Sequence, residues 1–213
     1  MICPDKTYLL ITTYLMKFLP ENIYHVYNQG NNHEKLFLKD DDYIHFLNLF
    51  KSYLLPHCEV LAWCLMPNHF HFQLYMDERC AALKPQGGLL LDLVTNGFRK
   101  LLSAYAHGFN GRNNRSGALF RPKTKSKCLT EMPSSNPTYS LGDYYSNCFY
   151  YIHDNPEKDG LVTNTANWQW SSFNFYFGDS ELLMCNKELA IKYCGFNISN
   201  KPPGKDLINY IIK

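Results

Sequence analysis

The chain has no Cys-x-x-Cys pair, although it carries eight cysteines: Cys3, Cys58, Cys64, Cys80, Cys128, Cys148, Cys185 and Cys194. That excludes a structural zinc ribbon, which needs paired thiolates at close spacing. At 213 residues the chain is also too long for a disulfide-stapled mini-domain, so its thiols are expected to be reduced, as in a cytoplasmic protein. No uncharged run near the start reaches the ~20 residues of a membrane-spanning helix. The longest there, Thr7 to Met16, stops at Lys17, and residues 1–15 read either as an unstructured leader or as sequence ahead of a start at Met16. Internal repeats, heptads and low-complexity tracts are absent as well. With 46% hydrophobic and 15% aromatic residues, disorder is excluded and a packed domain is expected.

Negative charge is missing from one long stretch. Between Leu93 and Thr130 there is no Asp or Glu, while Arg99, Lys100, Arg112, Arg115, Arg121, Lys123, Lys125 and Lys127 all fall there. Four of the chain's five arginines lie in this window, in a protein whose net charge is only +2. A one-sided stretch of this kind fits either a polyanion-binding surface or a solvated basic face without a partner.

Hydrophobic periodicity orders the elements. Ile23 to Asn28 alternates and runs into Gln29-Gly30-Asn31-Asn32, a strand followed by a turn. Asp40 to Asp42 open a helix whose apolar positions Tyr43, Phe46, Leu47, Phe50 and Leu54 recur at helical spacing until Pro56. Cys58 to Met66 and Asn68 to Met76 follow as two strands parted at Pro67. A second helix carries Leu91, Val94, Phe98, Leu101 and Tyr105 after Gly87-Gly88, and a last strand is expected within Ala118 to Leu129. Glu131 to Ser140, with two prolines and three serines, reads as a loop. Strand, helix, hairpin, helix, strand is the order of an α+β split βαβ sandwich, with helices on one face of an antiparallel sheet and the other face free. Residues after 140 are expected to add helices to this core.

In Asn68 to Met76 the period of two places His69, His71, Gln73 and Tyr75 on one face and Phe70, Phe72, Leu74 and Met76 on the other. Two histidines so spaced stand about 7 Å apart at Cα, within reach of one divalent ion. A half-buried strand that merely happens to carry two histidines is the alternative. Gly142 to Gly160 reads as a helix ended by Asn155-Pro156. At about 100° per residue Tyr145, Phe149 and Ile152 form its buried stripe, Tyr144, Tyr151 and Asn155 lie together on the flank, and Tyr150 shares a solvated outer face with Asp143, Asn147 and Asp154. A phenol, two imidazoles and an amide oxygen suit metal-assisted attack on a phosphodiester, which leaves a phosphotyrosine.

Five blocks in order, Tyr24-His25-Val26-Tyr27-Asn28-x-Gly30-Asn31-Asn32, Cys64-Leu65-Met66-Pro67-Asn68-His69-Phe70-His71, Arg115-Ser116-Gly117-x-Leu119-Phe120, Tyr151-Ile152-His153-x-Asn155-Pro156 and Trp170-Ser171-Ser172, resemble the REP-associated branch of the single-tyrosine HUH (IS200-like) transposases. The resemblance runs over residues 16–178, with 179–213 left as a C-terminal helical extension. It implies a ferredoxin-like catalytic domain that cuts and rejoins single-stranded DNA beside a hairpin, with Mg²⁺ or Mn²⁺ as cofactor. His69, His71 and Asn155 would hold the metal, and Tyr151 would form a 5′-phosphotyrosine while a 3′-hydroxyl is freed. Two positions depart from the family: Gln29 stands where relatives often carry arginine, and Phe120-Arg121-Pro122-Lys123 replaces a stretch with glycine ahead of the basic residue.

On this reading the basic window becomes the DNA track, with Phe109 and Phe120 available to stack on unpaired bases. Trp168 and Trp170 are expected to pack the C-terminal part against the core. His25, His33, His45, His57, His107 and His153 receive no catalytic role. A hairpin-binding module of the same fold that no longer cuts, and a phosphodiesterase using water, are the competing readings. Single-stranded or hairpin DNA is the expected partner, no membrane is expected, and monomer and homodimer both stay open.

Overall fold

The structure, a computed structural model, describes residues 18–86, 89–131, 141–178 and 184–196. Alternation in Ile23–Gln29 builds β1, and Asp40–Tyr53 forms α1. The Asp42 carboxylate accepts from the backbone N–H of Leu38 at 3.0 Å and of Lys39 at 3.3 Å, which satisfies donors that a helix start otherwise leaves unpaired. β2 (Glu59–Met66) and β3 (His69–Tyr75) make a hairpin, and α2 (Leu93–Arg112) starts where Asp92 accepts from Thr95 N at 2.7 Å. A short strand, Lys125–Cys128, completes the sheet in the order hairpin, Ile23–Gln29, Lys125–Cys128, with every neighbour antiparallel. This is the expected α+β, ferredoxin-like arrangement.

α1 and α2 bury their stripes on the phenylalanine face of β3. Phe50 stacks on Phe72 at 4.2 Å, and Phe46 meets Phe70 at 5.3 Å. Each such ring is worth roughly 1.5–3 kcal/mol when fully buried. The two helices approach so closely that a Cβ on Gly97 would lie 2.4 Å from the Tyr53 carbonyl oxygen, so only glycine fits there.

The other face is not free. α3 (Leu141–Lys158) lies across β2 and β3, and α4 (Phe173–Phe177) and α5 (Lys187–Cys194) flank it. Cys148, Phe149 and Ile152 of α3 share a second core with Ile23, Ala62, Cys64 and Met66, joined by Tyr176 and Cys194. The C-terminal helices thus cover the face expected to stay open. A sign of this was present in β2, whose Val60 to Met66 run is apolar at every position, as a strand buried on both sides requires.

Other departures have local causes. An additional hairpin, β4 (Leu83–Gln86) with β5 (Leu89–Asp92), precedes α2 where no strand was expected. The last strand, β6, is confined to Lys125–Cys128, because Pro122 cannot donate to a ladder; upstream, only an isolated bridge joins Gly30 to Phe120. α3 runs through Pro156 to Lys158 instead of stopping before the proline. Trp170 stacks on Tyr43 at 4.5 Å and Trp168 Nε1 donates to the Leu65 carbonyl at 3.1 Å, as their expected packing role implies. The seven described cysteines are free. No described helix is long and apolar enough to cross a membrane. Residues 1–15, Gly87-Gly88, most of the Glu131–Ser140 loop and Cys3 lie outside the described residues.

Candidate active site

Register between β1 and β3 sets Gln29 opposite His69, Tyr27 opposite His71 and His25 opposite Gln73, so these side chains share the face under α3. α3 lowers Tyr151 onto that face. Its ring meets the His71 ring edge-on, 5.5 Å between centroids at 80°. Tyr27, Asn28, Gln29, His69, His71 and Tyr151 line one cleft of about 210 Å³. The two histidines and the tyrosine singled out in the sequence therefore converge.

Their environments differ. His69 is half-buried, and its Nδ1 is 2.7 Å from Asn68 Oδ1, an acceptor, so the imidazole donates there and leaves Nε2 unprotonated. Burial holds its pKa below the ordinary histidine value, against an opposing pull from Asp159. His71 is buried, and desolvation, then His25, then His69 hold it well below that value. Burial likewise pushes the Tyr151 phenol up to about 12, Cys148 adds to this and Asn155 opposes it. The Lys158 ammonium lies 5.6 Å over the Tyr151 ring.

Two neutral imidazoles with amide oxygens nearby suit a divalent cation. Among the described residues no group of three His, Cys, Asp or Glu side chains is placed to hold a metal ion. The chain's own donors in the cleft are then His69 and His71, so an ion held there would take its remaining ligands from amide, water or phosphate oxygens. Asn155 is less well placed than its sister residues. It does not line the cleft, and its Nδ2 donates to the Tyr151 carbonyl at 2.7 Å within the last turns of α3.

Tyr150 departs from expectation. It is 9% exposed, not solvated, and stands edge-on to Phe149, 5.6 Å away in the second core. It belongs to the second core, to which Cys194 of α5 also contributes. His25, discounted in the sequence, is in the site: its Nε2 lies 2.9 Å from His71 Nδ1, and burial followed by the Lys127 charge lowers its pKa to about 3. Tyr27 was also missed. It is 37% exposed and stacks on His25 at 4.9 Å. Alternation along Tyr24 to Tyr27 puts His25 and Tyr27 on one face, but only the register with β3 says which histidine that face meets.

The basic window divides in space. Arg112 donates to the buried Asp42 carboxylate at 3.0 Å and Arg115 Nε donates to Glu34 at 2.9 Å, so acids remote in sequence neutralise both. Lys127 lies 5.4 Å from the Tyr144 ring. Lys100 is exposed on α2, away from the clefts. Arg121, Lys123 and Lys125 instead line a cleft of about 440 Å³ that shares Tyr27, Asn28 and Gln29 with the histidine cleft. Arg121 and Lys123 continue into a third, of about 480 Å³, which Arg99 also lines. Phe109 and Phe120, expected to stack on bases, are 3% and 8% exposed and pack against Tyr105. At the departure from the family pattern, Gln29 Nε2 sits 2.7 Å from His33 Nδ1, and Arg121 lies 3.2 Å from the opposite ring nitrogen.

The fold has a known counterpart. A solved structure of a REP-associated tyrosine transposase bound to a REP hairpin superposes with a TM-score of 0.54, over 91% of this chain and 92% of that one, at 14% identity. That likeness is one of fold. No protein-family model matches the chain, and no curated protein matches it.

Proposed function

We propose that this protein is a DNA strand transferase that cuts and rejoins single-stranded DNA beside hairpins, with Tyr151 as nucleophile. One observation carries the reading: a helix places the Tyr151 phenol edge-on to His71, in the same cleft as His69. The fold shared with a hairpin-bound tyrosine transposase supports it. His69 and His71 would hold Mg²⁺ or Mn²⁺, and Asn155, whose amide donates to the Tyr151 carbonyl outside the cleft, would have to turn toward them to add its oxygen as a third donor. A bound divalent ion would polarise the phosphoryl oxygen and favour the ionised phenol.

The chain's own part is to position and to exclude. The Tyr151 phenol is protonated at neutral pH in any case, and burial raises its pKa further, to about 12, so that its ionisation depends on the groups gathered around it. When Tyr151 Oη bonds to phosphorus, the bond to the 3′-oxygen breaks; the phenol loses one proton and the departing 3′-oxygen gains one. The 5′-phosphotyrosine keeps the ester linkage, so a later 3′-hydroxyl can reverse the exchange without ATP. Arg121, Lys123 and Lys125 would track the phosphates leading to the cleft.

The test is an adduct assay. Mixed with Mn²⁺ and a hairpin oligonucleotide carrying its single-stranded flanks, the protein is expected to form a detergent-stable covalent complex. Tyr151→Phe should abolish it, and Tyr150→Phe should leave it. Binding without any adduct would favour a silent hairpin-binding module, and cleavage that persists in Tyr151→Phe would point to a water-using phosphodiesterase.

A further inference from the structure

His25 lies beneath the cleft, 3% exposed, with its ring nearly parallel to that of His71 at 22° and its Nε2 2.9 Å from His71 Nδ1. A neutral imidazole carries one N–H, so one proton lies between these two nitrogens and two arrangements are open. In the first, His25 Nε2–H donates to His71 Nδ1, and His71 carries its own proton on Nε2. In the second, His71 Nδ1–H donates to His25 Nε2, His71 Nε2 is a bare lone pair, and the proton of His25 sits on Nδ1. That Nδ1 is buried and has no hydrogen-bond partner among the described residues. The second arrangement therefore leaves an N–H unpaired where the first leaves only a lone pair, and the metal-free protein favours the first.

We propose that His25 is a positioning residue that holds His71 through one shared proton and reverses that bond when a metal binds, accepting from His71 Nδ1–H in the ligating tautomer, an inference resting on the reading of His69 and His71 as the ligand pair. Ligation through His71 Nε2 demands the second arrangement. The protons balance within the pair: His71 moves its proton from Nε2 to Nδ1, His25 does the same, and none is lost. Neither asparagine nor a carboxylate takes the outer position here; a second histidine does, so the two tautomers change together. Hydrogen-bond partners of metal-binding histidines typically govern about 10- to 100-fold in metal affinity.

Imidazole ¹⁵N–¹H correlation spectra of the full ¹⁵N-labelled chain, with and without Mg²⁺, read the tautomers directly in the unmutated protein. Both His71 and His25 are expected to become Nδ1–H on addition of Mg²⁺; a change in His71 with none in His25 overturns the proposal. Mn²⁺ affinity measured by electron paramagnetic resonance supplies the second arm. His25→Phe should weaken binding by roughly 10- to 100-fold, whereas His25→Gln, whose Oε1 can accept from His71 Nδ1–H, should restore most of it. Wild-type affinity in a folded His25→Phe protein removes the role of His25. If His69→Ala and His71→Ala also bind Mn²⁺ as wild type does, the ligand reading itself falls; if they lose binding while His25→Phe keeps it, only His25 is at fault.

Discussion

Tyr151 and His71 touch edge to face across 5.5 Å, one ring carried by the helix over the sheet and the other by a central strand beneath it. The contact makes His71 a packed residue as well as a candidate ligand. His71 is 5% exposed, whereas His69 at the strand end is half-buried.

The first prediction follows from that difference. His71→Ala should lower the free energy of unfolding by about 2–4 kcal/mol, because it opens a cavity beside Tyr151 and leaves His25 Nε2 unpaired. His69→Ala should cost under about 1 kcal/mol. Urea denaturation of both variants checks this, and equal losses would contradict the burial seen here.

A second prediction concerns acid. Burial lowers His25 and His153 to about 3, so between about pH 6.5 and 3 the unfolded chain binds protons that the folded one refuses. Their stabilising contribution is complete above about pH 6.5 and is lost as pH falls, at roughly 1.4 kcal/mol per pH unit for each histidine. Urea midpoints measured from pH 7.5 to 5 should decline, and His153→Gln should make the decline shallower. A flat profile would mean that these imidazoles are solvated.

Salt dependence separates the basic residues. Replacing Arg121, Lys123 and Lys125 with alanine should flatten the slope of log affinity against log salt for hairpin DNA by about two units. Arg112→Ala should leave the slope nearly unchanged but destabilise the fold by roughly 1–3 kcal/mol, since it takes the cation from the buried Asp42 and leaves it only its backbone donors. Fluorescence anisotropy across a KCl series, paired with urea melts, tells the two effects apart.

Tyr27 offers its ring to the cleft mouth. Tyr27→Ala should weaken binding of the single-stranded flank by about 1–3 kcal/mol, while Tyr27→Phe should keep most of the affinity, because stacking needs the π-face and not the hydroxyl. Comparing oligonucleotides with and without the flank shows whether the loss belongs to unpaired bases.

The strands of the main sheet, the two helices on its phenylalanine face and the two faces of β3 were legible in the sequence, because periods of two and 3.6 are local properties of the backbone; the solvated face expected for Tyr150 was not, since packing buried it. His69, His71 and Tyr151 could be named for the same reason. What covered the histidine face was not legible: α3 is apolar on more than one side, and whether its second side meets the sheet depends on where the chain turns after residue 131. His25 escaped notice because its partner is set by the register of β1 on β3, a pairing of residues far apart in sequence. The acid-free window misled for a related reason. Charge along the chain is one-dimensional, and Asp42 and Glu34 reach Arg112 and Arg115 only once α1, α2 and the turn after β1 have packed. Sequence thus determined which chemical groups the protein owns and which face of its own element each occupies; tertiary packing decided which of them meet, because contact energies act through space and not along the chain.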